Sequence, residues 1–209
     1  MFRVRRLFAA AAALLYVGFL VLDLTRAADS APLKFAAISL CFAAALPGVR
    51  TADGRLTALA LAFAVCADRF LLAPDGRYLL GVSLFCVVQA LYCVRLARWR
   101  GGIRRSMLAL RLLPLAAFLF AQDTLPALVL LYFVNLVCSA LEAVCFRPAN
   151  RQTRLFAMGL ALLICCDICV GAFNLGLWTG FTRVGMWLFY LPSQVLIVCS
   201  GFPERKETR

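Results

Sequence analysis

Two aspartates lie deep inside apolar stretches, and that placement constrains this chain more than any other feature. Asp68 sits in LTALALAFAVCADRFLL and Asp167 in LFAMGLALLICCDICVGAF. Each comes 13 residues after an arginine that ends a polar loop, Arg55 and Arg154 respectively. At the helical rise this distance is roughly 20 Å, so both carboxyls are expected at one depth, past the middle of a bilayer. An ionised Asp there costs about 2.5–3.5 kcal/mol on insertion scales, and residues kept at that cost usually mark a site. The bland alternative is a hydrogen bond between neighbouring helices.

The surrounding sequence supports a membrane setting. Of 209 residues, 64% are hydrophobic, too many for a soluble domain of this size. Eight apolar runs cover about 7–24, 33–49, 56–73, 78–96, 108–121, 125–146, 155–175 and 183–202. Each is near the length that spans hydrocarbon, although 108–121 is short. None alternates with period two, so helices rather than a barrel must satisfy the backbone in lipid. The expectation is all-α: a polytopic transmembrane bundle of eight helices, forming a single integral membrane domain over residues 1–209.

A net charge of +12 suggests nucleic acid at first sight, but its distribution argues against it. With eight spans and a cytoplasmic N-terminus, 17 of the 22 basic residues fall on the cytoplasmic side. They are Arg3, Arg5, Arg6, Arg50, Arg55, Arg95, Arg98, Arg100, Arg104, Arg105, Arg111, Arg147, Arg151, Arg154, Arg205, Lys206 and Arg209. Arg26, Lys34, Arg69, Arg77 and Arg183 fall on the other side. This is the positive-inside asymmetry, and it predicts both termini in the cytoplasm. The densest cluster, RLARWRGGIRRS, reads as a topology signal that also touches anionic headgroups. The expected partners are the lipid bilayer and a membrane lipid, not nucleic acid; in a bacterium the location is the cytoplasmic membrane. The first run, about 18 residues after FRVRR, is longer than a signal-peptide core and reads as the first membrane helix.

All ten cysteines fall within apolar runs, where Cys behaves as a small hydrophobe that lets helices approach. Cys165, Cys166 and Cys169 form a C-x-x-C fragment beside Asp167, but no second pair matches it. The chain contains no His. These facts argue against a zinc site and exclude a His-based metallohydrolase or a Ser or Cys nucleophile with a His base. No metal and no cofactor are expected.

The halves of the chain look like copies. Asp68 in span 3 matches Asp167 in span 7. Phe85-x-x-x-Gln89-Ala-Leu91 in span 4 matches Tyr190-x-x-x-Gln194-Val-Leu196 in span 8. Four spans per half is an even number, so the repeat is a parallel 4+4 arrangement with its axis along the membrane normal. Other polar residues fall at helical spacing. Span 6 carries the stripe Tyr132, Asn135, Ser139 and Glu142. Asp167, Gly171 and Asn174 share a face of span 7; Phe85, Gln89 and Tyr92 share one on span 4; Tyr190, Gln194 and Ile197 share one on span 8. Lys34 opens span 2 near the outer surface. These faces suit either hydrogen bonds between helices or the lining of one polar cavity.

At these residues the chain resembles the YhhN-like family of eight-span membrane proteins, which includes lysoplasmalogenases. The family pattern has Lys-Pro at span 2, Gly-Asp with a following Leu in span 3, and His-x-x-Tyr in span 4. It continues with Tyr in span 6, Ser-Asp in span 7, and Tyr-x-x-(Ala)-Gln-x-Leu-Ile in span 8. This chain has Lys34-Phe35, Ala67-Asp68 with Leu71, Gln89-Ala-Leu-Tyr92, Tyr132, Cys166-Asp167 and Tyr190-Leu-Pro-Ser-Gln194-Val-Leu-Ile197. The likeness covers most of the chain in order. The departures are Phe35 for Pro, Ala67 for Gly, Cys166 for Ser and, above all, Gln89 for His. Gln exchanges hydrogen bonds but carries no proton at neutral pH.

The resemblance implies hydrolysis of the vinyl-ether bond of a lysoplasmalogen to a fatty aldehyde and a glycerophospho-alcohol. Paired carboxyls suit this chemistry, since burial and mutual repulsion favour one shared proton. Asp68 and Asp167 are then the expected acid–base pair. Lys34, Gln89, Tyr92, Tyr132, Asn135, Asn174, Tyr190 and Gln194 are expected to line the cavity or bind substrate. Two other classes remain open on the residues alone. A small-solute or lipid transporter would use the same repeat and midplane polar groups, and would open its cavity to both faces in turn. A non-catalytic lipid-binding protein would account for Gln89.

Overall fold

The structure, a computed structural model, describes residues 2–72, 77–120, 122–146 and 150–202, with the side chains of 2–5 and 117 left out. Arg147, Arg205, Lys206 and Arg209, counted above among the cytoplasmic cations, lie outside the described residues, as do the side chains of Arg3 and Arg5.

The described residues form eight α-helices and no strand: α1 Phe2–Thr25, α2 Ala31–Ala45, α3 Ala52–Leu71, α4 Tyr78–Arg100, α5 Arg105–Leu119, α6 Thr124–Val144, α7 Arg151–Asn174 and α8 Thr179–Ser200. A short 3-10 helix, Leu46–Arg50, prolongs α2. Six of the eight are long and apolar enough to cross a membrane: α1, α2 with its 3-10 extension, α4, α6, α7 and α8. The other two depart for readable reasons. Asp53, Arg55, Asp68 and Arg69 make α3 less apolar, although its 20 residues are about 30 Å long. The fifth helix has only 15 residues and carries Arg111 and Pro114. The protein is a helical bundle and a multi-pass membrane protein.

Local sequence sets the helix ends. Thr51 caps α3 by accepting from the Gly54 N–H at 2.9 Å. Asn150 caps α7 by accepting from the Thr153 N–H at 2.8 Å, and Thr153 returns the bond. Gly101 closes α4 at a φ of 76°, a left-handed conformation that glycine adopts without strain.

Six helices close into a ring. Going round it, α2 packs on α3, α3 on α4, α4 on α6, α6 on α7, α7 on α8, and α8 back on α2. The first helix lies outside, against α2 and α8, and α5 lies outside against α6 alone among the described residues. The neighbour pairs largely repeat at an offset of four helices: α1–α2 and α5–α6, α2–α3 and α6–α7, α3–α4 and α7–α8, α2–α8 and α6–α4. This is the arrangement of a parallel four-plus-four repeat.

Buried polar contacts brace the ring. At the end where α4 and α8 finish, Arg95 is fully buried. Its Nε and Nη2 donate to the two carboxylate oxygens of Asp53 at 2.8 and 2.7 Å, and its Nη1 donates to Ser200 Oγ at 2.9 Å. The guanidinium also stacks on Trp99 and Phe156, 4.6 Å from each ring centre. One side chain thus ties α3, α4, α7 and α8 together. Pro192 sits inside α8 and has no N–H for the Leu188 carbonyl. Tyr16 of α1 supplies the missing donor at 2.8 Å. The helices α7 and α8 meet tightly at Gly159, where an added Cβ would lie 3.1 Å from the Ser193 carbonyl oxygen.

Candidate functional site

The site follows from the two caps. Asp68 comes 17 residues after Thr51, and Asp167 comes 17 after Asn150. Helices that start at equivalent points and run equal lengths bring both carboxyls to the same level, about 25 Å from the caps.

There a cavity of about 300 Å³ lies among α3, α4, α6, α7 and α8, and both Asp68 and Asp167 line it. Its other walls are mostly apolar, including Leu71, Val82, Phe85, Leu125, Val129, Phe133, Leu163, Val170 and Met186. Polar groups are few: Tyr78, Tyr132, Asn174, Tyr190 and the Trp187 indole. Small-molecule sites are commonly built in this way, with apolar walls and a few fixed polar atoms.

Each carboxyl is held by one tyrosine. The Tyr190 hydroxyl of α8 donates to Asp68 Oδ2 at 2.7 Å. The Tyr132 hydroxyl of α6 donates to Asp167 Oδ2 at 2.7 Å. Among the described residues neither Oδ1 has a hydrogen-bond partner. Trp187 packs edge-on against Tyr190, with ring centres 5.3 Å apart, and Phe85 lies 5.7 Å from Tyr132. Cys166, at the position of the family serine, lines the same wall.

Of the ten residues singled out in the sequence, the structure brings five to this cavity: Asp68, Asp167, Tyr132, Asn174 and Tyr190. The other five stand elsewhere. Lys34 is buried at the start of α2, with Nζ 2.8 Å from Asp23 Oδ1. The same ammonium lies 4.9 Å from the centre of the Trp187 ring, so one aromatic layer separates it from the cavity. Asn135 turns away because a cation on α5 claims it. Arg111 Nη1 donates to Asn135 Oδ1 at 3.2 Å and to Ser139 Oγ at 3.2 Å, and its Nη2 reaches Glu142 Oε2 at 3.2 Å. The span-6 stripe therefore divides: Tyr132 serves the cavity, and the rest binds α5. Gln89, Tyr92 and Gln194 are buried further along α4 and α8, beyond the cavity's innermost residues on those helices.

Sequence reasoning passed over Trp187, Asp23, Asp53 and the structural roles of Arg95 and Arg111. Trp187 had a signal, since it stands three residues before Tyr190 on one face. Arg111 had one too: a cation within a leucine-rich helix needs a partner, and span 6 offered a polar stripe. Asp53 and Arg95 pair across 42 positions, and nothing local marks that contact.

Neither the curated proteins nor the solved structures contain a match to this chain. The family model of the YhhN family matches residues 30–201, from just before α2 to just past α8, so this chain belongs to the YhhN family.

Proposed function

We propose that this membrane protein hydrolyses the vinyl-ether bond of a lysoplasmalogen, with Asp68 and Asp167 as its acid–base pair. The observation that carries the reading is the pair of carboxyls on one apolar-walled cavity, each held by a tyrosine hydroxyl. The fatty chain would lie along the leucine, valine and phenylalanine walls. The cavity sits where α3 and α7 end and α4 begins, the outer end in the topology expected from the charge asymmetry. Lys34 and Trp187 stand at that end, where the phosphate of an inserted lipid would lie.

The chemistry needs one carboxylic acid and one carboxylate. The acid gives its proton to the β-carbon of R–CH=CH–O–R′, forming the oxocarbenium ion R–CH₂–CH=O⁺–R′. The other carboxylate stabilises that cation and takes a proton from water as the water oxygen bonds to the α-carbon. The resulting hemiacetal passes its hydroxyl proton to one carboxylate and receives a proton on the ether oxygen from the other. The C–O bond then breaks, leaving R–CH₂–CHO and HO–R′, and the pair again holds one proton. General acid–base help of this kind contributes about 10²–10⁴-fold. The tyrosines fix each carboxyl by one oxygen and leave the other oxygen for the reacting groups.

The test is to incubate purified protein in lipid nanodiscs with a lysoplasmalogen and measure free aldehyde. The matching saturated alkyl-ether lysolipid, which cannot be protonated at carbon, is the control. Aldehyde from the vinyl ether alone is the expected result. No aldehyde above a protein-free control would overturn the proposal.

A further inference from the structure

Beyond the cavity, on the same two helices, lies a set of polar groups that its lining does not include. On α4 the innermost cavity residue is Phe85, and on α8 it is Tyr190. One turn further along come Gln89 on α4 and Ser193 and Gln194 on α8, with Tyr92 a turn beyond Gln89. Each of the four is at most 1% exposed. Five of their atoms are buried with no hydrogen-bond partner among the described residues: Gln89 Nε2 and Oε1, Tyr92 Oη, Ser193 Oγ and Gln194 Oε1. Beyond them the helices are joined by the Arg95–Ser200 bond of 2.9 Å. The layer is thus bracketed between the carboxyl cavity and the Arg95 clamp.

Buried polar groups left unpaired lose their hydration and gain nothing in return, so a cluster of them calls for a ligand. The chemistry of the set identifies its class. It offers donors and acceptors together, as water requires, and carries no charge to hold an ion. The nearby cation Arg95 is already matched by both oxygens of Asp53. A buried water makes about three bonds, so five atoms suit one or two waters.

We infer that Gln89, Tyr92, Ser193 and Gln194 form a second binding site whose ligand is water, and that it supplies the carboxyl pair with the water that hydrolysis consumes. The supply role rests on the hydrolysis proposed above; the water site does not. Such a store answers a difficulty of the cavity itself. Its walls are apolar and its substrate would fill it, yet the reaction needs one water for each bond broken. Water held one turn beneath Tyr190 reaches the carboxyls from the side that the hydrocarbon chain does not occupy. The four residues are positioning residues in this scheme, because they touch water and not the lipid.

The first test uses the wild-type protein. X-ray hydroxyl-radical labelling, read by mass spectrometry, modifies a buried side chain when a bound water lies against it. After correction for intrinsic reactivity, Tyr92 should be modified several-fold faster than Phe19, which is equally shut off from bulk solvent. Labelling of Tyr92 no faster than Phe19 would overturn the site, whether or not the protein releases aldehyde. The second test is Gln89→Leu and Gln194→Leu. A hydrated layer predicts a lower melting temperature for each, because the water loses a partner. A dry layer predicts a rise, because an unpaired group is removed, and a rise overturns the proposal. In the aldehyde assay Gln194→Leu should lower kcat about 10-fold with KM unchanged; an unchanged kcat would remove the supply role. A wild type that is labelled at Tyr92 but releases no aldehyde would sink the hydrolysis and leave the water site standing.

Discussion

Tyr190 of α8 holds Asp68 of α3 through a 2.7 Å hydrogen bond that closes 122 positions of chain. The repeat places Phe85 where the second half has Tyr190, and phenylalanine has no hydroxyl to give. The counterpart carboxyl, Asp167, is held instead by Tyr132 of α6, whose ring packs on Phe85. Two carboxyls at matched depth thus have donors from different sides of the ring. That asymmetry gives them different surroundings, as an acid and a base require.

The tyrosines can be tested apart from the carboxyls. Tyr190→Phe and Tyr132→Phe keep the ring and delete the donor, leaving one buried carboxylate oxygen unpaired. Each should lower stability by about 1–3 kcal/mol, the usual cost of orphaning a buried group. Each should also reduce aldehyde release, since the carboxyl loses its fixed orientation. Thermal unfolding in detergent and the aldehyde assay read the two effects. Unaltered stability in both variants would mean that the hydroxyls are not bound to the carboxyls.

Arg95 should behave as a buried ion pair rather than as a surface cation. Arg95→Met leaves Asp53 without its partner, and Asp53→Asn leaves the buried guanidinium without charge compensation. Breaking one side of a fully buried pair costs about 3–5 kcal/mol, and because the Asp53 side chain is 26% exposed the loss here should fall toward the lower end of that range. The double change Arg95→Met with Asp53→Leu should recover most of the loss. Additive losses in the double variant would show that the two side chains do not act together.

The charge asymmetry predicts which face of the membrane each loop occupies. Gly102 is exposed in the loop between α4 and α5. A cysteine placed there should react with a membrane-impermeant maleimide only after the cytoplasmic side is opened. Cys145, exposed just past the end of α6 on the same side, is first replaced by serine; the other native cysteines lie within helices and should contribute little background. Labelling of Gly102→Cys in intact cells would place the loop outside and reverse the topology.

The sequence made some of this legible and hid the rest for physical reasons. Helices are local, so apolar runs alone located all eight, with ends differing by a few residues. Asp68 and Asp167 stood out because a carboxylate is costly in lipid. Their tyrosines were readable as polar members of helical faces. Which way a face turns was not readable, because that depends on the helix that packs there. Asn135 and Tyr132 lie three residues apart on α6, yet one answers Arg111 and the other Asp167. Arg95 and Arg111 counted in the sequence only as cations toward the cytoplasmic ends of their spans, and only the fold shows them reaching inward to Asp53 and Glu142. The family likeness named Gln89 through its motif, but motif order says nothing of depth beneath the cavity.

The sharpest test concerns the carboxyls themselves. Asp68→Asn and Asp167→Asn preserve the shape and can still accept from Tyr190 and Tyr132. Neither can give an acidic proton or stabilise a cation as a carboxylate does. Each should lower aldehyde release by at least about 10²-fold, the smaller end of what acid–base help contributes. Stability should move the other way. A carboxyl in an apolar bundle carries a desolvation cost that a neutral amide largely avoids, so the melting temperature should hold or rise. Opposite movement of activity and stability separates a reactive pair from a structural one. A purely structural pair would lose stability on substitution, and activity would fall only in proportion. Near-normal turnover in either variant would remove that aspartate from the mechanism, and the two-carboxyl scheme with it.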